Sequence, residues 1–178
     1  MVRTMVLGLL KTHGTMSGYE IQQQMESAET DTWAYVQPPS IYHALKKLHA
    51  EGCVSLESVE QTGYRTKALY AITPEGEKAY KEMLEKAFEK NSVVFPATLY
   101  TALTFWNELS PETVLEAVNK QIASIHDTIK LMKSGKERKA EMVGIEENVD
   151  LIYQNIFAQC DLQLDYLLSV KAFFEKRI

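Results

Sequence analysis

The fold is decided by residues 38–52, which read PPSIYHALKKLHAEG. Apolar side chains recur in this stretch at helical spacing, and a glycine follows the last of them as a natural stop. These apolar residues are Ile41, Ala44, Leu45 and Leu48. Proline has no N–H and fits a helix only in its first turn. The pattern therefore predicts a helix that begins at about Pro39 or Ser40 and ends at Gly52.

Two further helices are predicted on the N-terminal side of this stretch. Residues 2–12 carry an apolar stripe at the spacing i, i+3, i+4 and i+7, which is typical of a helix with one buried face. Ser17 then has the position of an N-cap, and Glu20 three residues later completes a capping box. The side chains that this second helix should bury are Tyr19, Ile21 and Met25.

A β-hairpin and a fourth helix are predicted on the C-terminal side. Residues 53–59 alternate apolar and polar side chains, residues 68–72 resemble them, and a glycine at 63 marks the hairpin tip between them. Thr73-Pro74-Glu75 has the form of an N-cap, a first-turn proline and an acidic first turn, so a helix should run from there to about Lys90. Three helices followed by a hairpin is the order of a winged helix-turn-helix, whose third helix enters the major groove of DNA.

The second half of the chain is predicted to be helical. A helix that starts at Ser110 carries apolar residues at heptad-like spacing and should end in a polar turn at residues 134–139. A further helix then carries an apolar face that is too broad for one hairpin partner to cover. Packing on residues 96–109 could cover it, but we favour a second subunit. The dimer interface is expected at Ile152, Ile156, Leu164, Leu167 and Phe174.

Together these elements predict a mainly α protein in two domains. A chain of 178 residues is long enough for two small domains, each with its own core. Residues 1–90 should form a winged helix-turn-helix with a small β-hairpin wing and an exit helix. Residues 91–178 should form an all-α dimerisation domain that could also hold an effector.

Composition and motifs exclude several other classes of protein. With 46% apolar and 24% charged residues and a net charge of −5, the chain is an ordinary folded protein. It has no glycine-rich phosphate loop, no metal-binding cysteine or histidine motif and no nucleophile elbow. Its two cysteines do not make a disulfide scaffold, and no apolar run is long enough to span a membrane. We therefore expect a cytoplasmic protein that is not an enzyme and that needs no metal or cofactor.

Ordered motifs in the first half resemble those of a known family. Val6-Leu7-Gly8-Leu9-Leu10 and Ser17-Gly18-Tyr19-Glu20-Ile21 match an "LGLL … GYEI" opening, and residues 40–52 match the helix motif "SIYxALKxLxxEG". The wing and exit of that family are matched by Gly63, Arg65, Lys67, Tyr70, Ile72, Thr73 and Gly76. Over roughly residues 1–80 the sequence thus resembles the PadR-like winged-helix transcriptional regulators. The length of the tail is similar to that of the subfamily with a C-terminal helical dimerisation domain.

This resemblance implies a sequence-specific DNA-binding regulator that acts as a homodimer, and a repressor is the form we expect. It also implies which residues contact the DNA operator. They are Ser17, Tyr19, Ser40, Tyr42, His43, Lys46, Lys47, Gly63, Tyr64, Arg65 and Lys67. Pro39 and His43 depart from the family pattern, which usually has Gly and often Pro at these positions.

Physical chemistry supports part of this set independently. With the apolar stripe of residues 38–52 facing inward, the outward side chains are Ser40, His43, Lys46 and Lys47. Ser40 and the backbone amides at the helix start could donate to phosphate, and the lysines could neutralise phosphate or reach guanine edges. Residues 1–80 nevertheless hold seven basic and nine acidic residues, a net charge of −2, so binding must depend on a local patch.

Aromatic residues of the second half suggest an effector site. Some relatives that this chain resembles respond to small aromatics such as phenolic acids or to drugs, and others have no known ligand. The residues that could line such a pocket are Tyr100, Trp106, Tyr153 and Phe157. Aromatic residues at helical spacing are also typical of an ordinary core, and this alternative stays open.

Two other functions are compatible with the sequence. A winged helix that binds protein instead of DNA would suit the acidic N-terminal half. A small-molecule-binding or enzymatic helical protein is the second alternative, and the absent catalytic motifs count against it. The sequence does not give the operator, the regulated genes or the identity of an effector.

Overall fold

The computed structural model describes the backbone of residues 1–62 and 65–178 and the side chains of residues 1–59 and 67–178. Internal contacts divide the chain into two units, Met1–Ser92 and Val93–Ile178. The protein is mainly helical with one small antiparallel sheet, which confirms the predicted fold class. In the part of the chain described, no helix is long and apolar enough to cross a membrane.

The N-terminal unit has the element order of a winged helix-turn-helix. Its helices are α1 (Val2–His13), α2 (Gly18–Ser27), α3 (Thr30–Trp33), α4 (Pro38–Ala50) and α5 (Pro74–Glu89). Its strands are β1 (Met16–Ser17), β2 (Val54–Thr62) and β3 (Arg65–Ile72). The sequence did not predict α3 and β1, because a single helical turn and a two-residue strand are too short to show a period.

Both ends of α4 follow from local chemistry. The helix begins at Pro38, one residue before the predicted start, and its two prolines occupy the first turn. At the other end Gly52 has a φ of 72° and donates its N–H to the carbonyl of His49 at 3.0 Å. The N–H of Cys53 donates to the carbonyl of Leu48 at 2.8 Å. These two bonds form a Schellman motif, which explains why a glycine follows this helix.

Ser17 joins the sheet to α2. The hydroxyl of Ser17 accepts a hydrogen bond from the N–H of Glu20 at 3.3 Å, and the Glu20 carboxylate accepts from the N–H of Ser17 at 2.8 Å. The predicted capping box is thus confirmed. Within β1, Met16 pairs with Tyr70 and Ser17 with Leu69 of β3, in an antiparallel arrangement. The start of α2 is therefore fixed directly to the wing.

The wing is the antiparallel pair β2 and β3, and β3 lies between β1 and β2. An irregularity between Leu56 and Ser58 shifts the register of this pair. The chain leaves β3 at Thr73, whose hydroxyl caps α5 by accepting from the N–H of Gly76 at 3.0 Å. A Cβ on Gly76 would lie 1.9 Å from the carbonyl oxygen of Cys53, so this position requires glycine.

One apolar core holds the N-terminal unit together. The side chains buried most completely in it are Val6, Leu7, Leu10, Ile21, Ile41, Leu45, Leu48 and Val54. Ile21 and Met25 are buried as predicted, but the expected burial of Tyr19 is wrong, because this side chain is 62% exposed. Residues two apart lie on nearly opposite faces of a helix, so Tyr19 cannot share the buried face of Ile21.

The C-terminal unit consists of α6 (Ala97–Thr104), a 3₁₀ turn (Trp106–Glu108), α7 (Pro111–Val143) and α8 (Glu147–Glu175). The predicted polar turn at residues 134–139 is wrong, because α7 continues through it and the chain turns at Gly144, which has a φ of 77°. A glycine inside a helix costs only about 1 kcal/mol. Packing offsets this cost, since Lys136 forms an ion pair with Asp150 of α8 at 2.5 Å and lies over the ring of Tyr153.

The segment before α7 supplies a third helical surface within the chain. Leu99, Leu103 and Trp106 pack against the core that α7 and α8 form around Val118 and Leu167. Intramolecular packing on residues 96–109, the alternative that we favoured less, thus covers part of the broad face of α8. As a consequence, Leu167 and Phe174 are fully buried in their own chain, which corrects their assignment to a dimer interface.

Candidate nucleic-acid interface

The outer face of α4 is exposed and basic. Tyr42 is about half exposed, and His43, Lys46 and Lys47 are exposed, whereas Ile41 on the opposite side is buried. Positions 42 and 46 lie one turn apart, as do 43 and 47, so the four side chains share one broad face. The sequence of α4 contains no acidic residue. This helix therefore presents a positively charged surface in a unit that is acidic as a whole.

The two lysines of this face are available to an anionic partner. Among the side chains that the structure describes, no carboxylate lies within ion-pair distance of Lys46 or Lys47. Glu51, which follows the helix, is paired with Arg3 of α1. Lys11 of α1 is likewise paired, with Glu77 of α5. The fold thus pairs Arg3 and Lys11 with carboxylates and leaves Lys46 and Lys47 without a carboxylate partner among the described side chains.

The start of α4 differs from the expectation that its backbone amides donate to phosphate. Pro38 and Pro39 occupy the first two helical positions and have no N–H. Ser40 donates both its N–H, at 2.9 Å, and its hydroxyl, at 2.6 Å, to the carbonyl of Gln37. Ser40 therefore stabilises its own helix start and offers no free donor. An anion at this helix end would meet the dipole without the usual hydrogen bonds.

The start of α2 contributes one of its two predicted contacts. Ser17 is 3% exposed, and its hydroxyl and N–H both donate to the Glu20 carboxylate at 2.8 Å. A buried, fully bonded hydroxyl cannot reach DNA, so the structure assigns Ser17 to capping and corrects the predicted contact. Tyr19 in the first turn of α2 is exposed.

The structure describes the predicted wing residues to different extents. Gly63 and Tyr64 lie outside the described residues, as does the side chain of Arg65, whose backbone pairs with Thr62 at the start of β3. Lys67 is described, and its Nζ lies 3.0 Å from Oε1 of Glu20. The prediction for this lysine did not foresee a carboxylate partner, because the two residues are far apart in sequence.

Glu20 is the residue that sequence reasoning assigned only to capping. Hydrogen bonds from the Ser17 backbone, the Lys67 ammonium and the Ser17 hydroxyl lower the pKa of Glu20 to about 2. Its carboxylate therefore stays charged at neutral pH. It connects the first turn of α2 to the wing strand, a link that a local capping motif does not reveal.

The four aromatic residues predicted to line an effector pocket fall into two groups. Tyr100 packs edge-on against Tyr166, and Trp106 packs against Phe173 and Phe174. Tyr153 instead stacks on Phe157, with ring centroids 6.2 Å apart. Positions 157 and 166 of α8 are nine residues apart in sequence, about 13.5 Å at the helical rise. These contacts bring Tyr100 and Trp106 to one end of α8 and leave Tyr153 and Phe157 nearer its start.

A groove of about 390 Å³ in the N-terminal unit was not predicted. It lies among α1, α2, α3 and α5, and Met5, Leu9, Trp33, Tyr80 and Leu84 are among the residues that line it. The sequence contains no signal for it, because α1 lines only one side and the other helices contribute two residues each. Trp33, one of these lining residues, donates its indole N–H to the carbonyl of Ala28 at 2.8 Å.

The predicted dimer residues of α8 differ in exposure. Ile152 is 50% exposed, whereas Ile156 and Leu164 are half-buried in the chain itself. Other large apolar side chains of the same helix are also exposed; they are Leu151, Leu162, Leu168 and Phe173. A helix face with this many exposed apolar residues is typical of a protein interface.

The architecture defines a winged helix-turn-helix protein with a helical C-terminal unit. Residues 6–82 match the model of the transcriptional regulator PadR-like family, whose members are transcriptional regulators rather than enzymes. A comparison with curated proteins gives no match.

Solved structures of similar fold extend over both units. The smu.1604c protein of Streptococcus mutans UA159 is 24% identical with a TM-score of 0.78, and the match covers 96% of this chain and 98% of that chain. Bacillus subtilis PadR in complex with operator DNA is 20% identical with a TM-score of 0.74, over 97% and 98% of the two chains. The same protein in complex with p-coumaric acid is 20% identical with a TM-score of 0.71, and the match covers 98% of both chains.

Proposed function

We propose that this protein is a sequence-specific DNA-binding repressor that acts as a homodimer and is released from its operator by a small aromatic effector. The observation that carries the proposal is the exposed face of α4, with Lys46 and Lys47 unpaired among the described side chains. In a winged helix-turn-helix this helix is the one that enters the major groove. Operator DNA is bound by the similar PadR of Bacillus subtilis, which supports the same partner here.

Within this proposal the residues divide by role. Lys46 and Lys47 neutralise phosphates or reach guanine edges, and His43 and Tyr42 face the bases from the same side of α4. Tyr19 contacts the backbone from the first turn of α2. Gly63, Tyr64, Arg65 and Lys67 of the wing reach the sugar–phosphate backbone or the minor groove. A dimer would place two α4 helices on half-sites about 34 Å apart.

The charge of the protein limits how it binds. Residues 1–80 carry a net charge of −2, so binding to DNA of arbitrary sequence should be weak and should depend only modestly on salt. Affinity for an operator must then come from base contacts and from the use of two sites by one dimer. A regulator that acts on DNA in this way works in the cytoplasm, which is the location we propose.

Fluorescence anisotropy tests the DNA partner most directly. The probes are the duplex upstream of the protein's own gene and a scrambled duplex, each at two salt concentrations. We expect tighter binding to the upstream duplex, competed by itself and not by the scrambled one. Replacing both Lys46 and Lys47 with Glu should lower this affinity by at least about tenfold, because two phosphate neutralisations are reversed. Absence of binding even at low salt would contradict the proposal.

A control double variant distinguishes the effect of charge on the face of α4 from the effect of the net charge of the protein. Lys78 and Lys86 are exposed on α5, not on the outer face of α4, and their double replacement with Glu changes the net charge by the same amount. This variant should keep most of the affinity of the unchanged protein. Equal losses in the two double variants would show that the face of α4 has no special role.

A winged helix that binds another protein is the second candidate. The net charge of −2 and the lack of free donors at the start of α4 favour it over a typical DNA-binding helix. Under this alternative the Lys46 and Lys47 double variant would keep its protein partner, and neither duplex would bind. The anisotropy experiment therefore distinguishes the two candidates.

The effector is proposed from the aromatic residues Tyr100, Trp106, Tyr153 and Phe157 and from the p-coumaric acid complex of the similar PadR. Each unit contains one tryptophan, Trp33 or Trp106. Titrating p-coumaric acid into Trp33→Phe and Trp106→Phe variants therefore reports the unit in which a ligand binds. Quenching of Trp106 with release of the upstream duplex supports the proposed pocket. Quenching of Trp33 alone points to the groove of the N-terminal unit.

A further inference from the structure

We propose that Glu20 masks Lys67 from DNA, so that the wing lysine contributes its charge only after phosphate displaces the carboxylate. This inference rests on the proposed DNA binding and concerns how that binding is restrained. The masking contact is the ion pair between Nζ of Lys67 and Oε1 of Glu20, at 3.0 Å. Its effect would be to weaken binding to DNA of arbitrary sequence.

The backbone of the sheet creates this contact. Ser17 pairs with Leu69 of β3, and Lys67 lies two residues further toward the hairpin tip on the same strand. Alternate residues of a strand point to the same side, so Lys67 follows Leu69 on one face, next to the first turn of α2. The carboxylate of Glu20 projects from that turn. The two side chains therefore meet because β1 fixes the start of α2 to the wing.

The two carboxylate oxygens of Glu20 accept hydrogen bonds from different partners. Oε2 accepts from the N–H and the hydroxyl of Ser17, both at 2.8 Å, whereas Oε1 accepts from Lys67. The capping box holds the carboxylate in place whether or not the lysine is bound. Glu20 is thus a fixed negative charge beside Lys67 of the wing, and it is not a mobile surface side chain that happens to lie near a lysine.

The ion pair is also weak enough to be exchanged. Its two side chains are 42% and 45% exposed, and exposed pairs of this kind contribute little to stability. A DNA phosphate that approaches the wing can replace the carboxylate as the partner of Lys67. At a sequence that docks poorly, the phosphate does not reach Lys67 and the ammonium stays with Glu20. The pair thereby reduces the charge that acts on non-cognate DNA.

The test replaces Glu20 with Gln, which can still complete a capping box. Glu26→Gln is the matched control, because Glu26 lies on the same helix, loses the same charge and is bonded to Gln22 and Gln23 instead of to a lysine. Binding to the scrambled duplex is measured at several salt concentrations. For Glu20→Gln we expect affinity about fivefold higher at low salt and a salt slope steeper by roughly 0.9 per DNA-binding unit.

Lys67→Gln completes a double-variant cycle. In the unchanged background this substitution should alter affinity for the scrambled duplex by less than about twofold, because the lysine is already masked. In the Glu20→Gln background, Lys67→Gln should abolish the gain in affinity for the scrambled duplex. Equal behaviour of Glu20→Gln and Glu26→Gln would overturn the inference. So would a Lys67→Gln loss that is the same in both backgrounds, since the lysine would then contact DNA regardless of Glu20.

Elution from a heparin column, at a measured salt concentration, separates this inference from the proposed function. Heparin is a polyanion without bases, so it reports exposed positive charge independently of base contacts, and the differences among these variants isolate the contribution of Lys67. Later elution of Glu20→Gln than of Glu26→Gln, reversed by Lys67→Gln, supports masking even if no duplex binds and the DNA proposal fails. Identical elution of all the variants, together with normal duplex binding, would refute masking and leave the proposed function intact.

Discussion

Gly18 of α2 lies against the ring of Tyr42 of α4, so closely that a Cβ on Gly18 would be 2.6 Å from Cε1 and 3.1 Å from Cδ1 of the ring. Gly18 is buried, and its φ is not in the left-handed region, so the glycine is needed here for space and not for backbone freedom. This contact sets how closely the first turn of α2 approaches the exposed face of α4.

We expect Gly18→Ala to displace the ring of Tyr42 and to lower the free energy of unfolding by about 1–2 kcal/mol, the usual cost of an overpacked site. Tyr42 is 49% exposed, so its ring has room to move and the protein should still fold. Urea unfolding of Gly18→Ala, Tyr42→Ala and the double variant gives the coupling between the two positions. In the Tyr42→Ala background, Gly18→Ala should cost much less stability than it does in the unchanged protein. Additive losses would show that the Cβ strains another part of the site.

The pH dependence of stability should identify the carboxylate of Glu20. Its pKa is lowered from 4.5 to about 2 by the Ser17 backbone, Lys67 and the Ser17 hydroxyl, so the folded state favours the charged form. Its contribution is complete above about pH 4.5 and is lost as the pH falls toward 2. Because the site is half exposed, we expect at most about 1 kcal/mol.

The measurement is urea unfolding of the unchanged protein and of Glu20→Gln between pH 7 and pH 2.5. The unchanged protein should be the more stable one at pH 7, and the difference should shrink through the acid range. A difference that stays constant with pH would mean that the charge of Glu20 contributes nothing and that its hydrogen bonds alone matter.

A second glycine tests the packing of the exit helix against the end of α4. A Cβ on Gly76 would lie 1.9 Å from the backbone oxygen of Cys53, whereas one on Gly8 would meet the hydroxyl of Tyr80 at 3.0 Å. Backbone cannot move as a side chain can, so Gly76→Ala should lower stability by more than about 3 kcal/mol. Gly8→Ala should cost less than about 1.5 kcal/mol. Thermal unfolding followed by circular dichroism compares them, and equal melting temperatures would contradict the packing argument.

The N-terminal unit was predictable from sequence where the signals are local. Caps, prolines and apolar spacing act within a few residues, so the starts of α2, α4 and α5 agree with prediction to within one residue. The same rules also explain the misjudgements. Tyr19 is predicted to be buried from its spacing with Ile21 and Met25, but a residue two positions before Ile21 lies on nearly the opposite face of the helix, and Tyr19 is exposed. Residues 134–139 were assigned to a turn on their polarity, although their packing on α8 keeps them helical.

The candidate site was predictable only in part, because it depends on contacts between residues far apart in sequence. The outward face of α4 follows from helical spacing and needs no tertiary information. The contact between Lys67 and Glu20 does not follow from helical spacing, because the pairing of β1 with β3 brings the two residues together. The start of α4 offers fewer N–H donors to a phosphate than the sequence argument predicts, for a different reason. Two adjacent prolines remove the amides on which the dipole argument depends.

The exposed apolar residues of α8 allow a direct test of the proposed dimer. Leu162 is 64% exposed, and Leu162→Glu should place a charge in the interface and shift the protein toward monomer. Gln159→Glu introduces the same side chain at an exposed polar position of α8 and serves as the control. Light scattering coupled to size-exclusion chromatography gives the mass of each variant. We expect a dimer for the unchanged protein and for Gln159→Glu, with a mass near 20.3 kDa for Leu162→Glu. A monomeric unchanged protein would contradict the proposed dimer, and a dimeric Leu162→Glu would place the interface on another face of the chain.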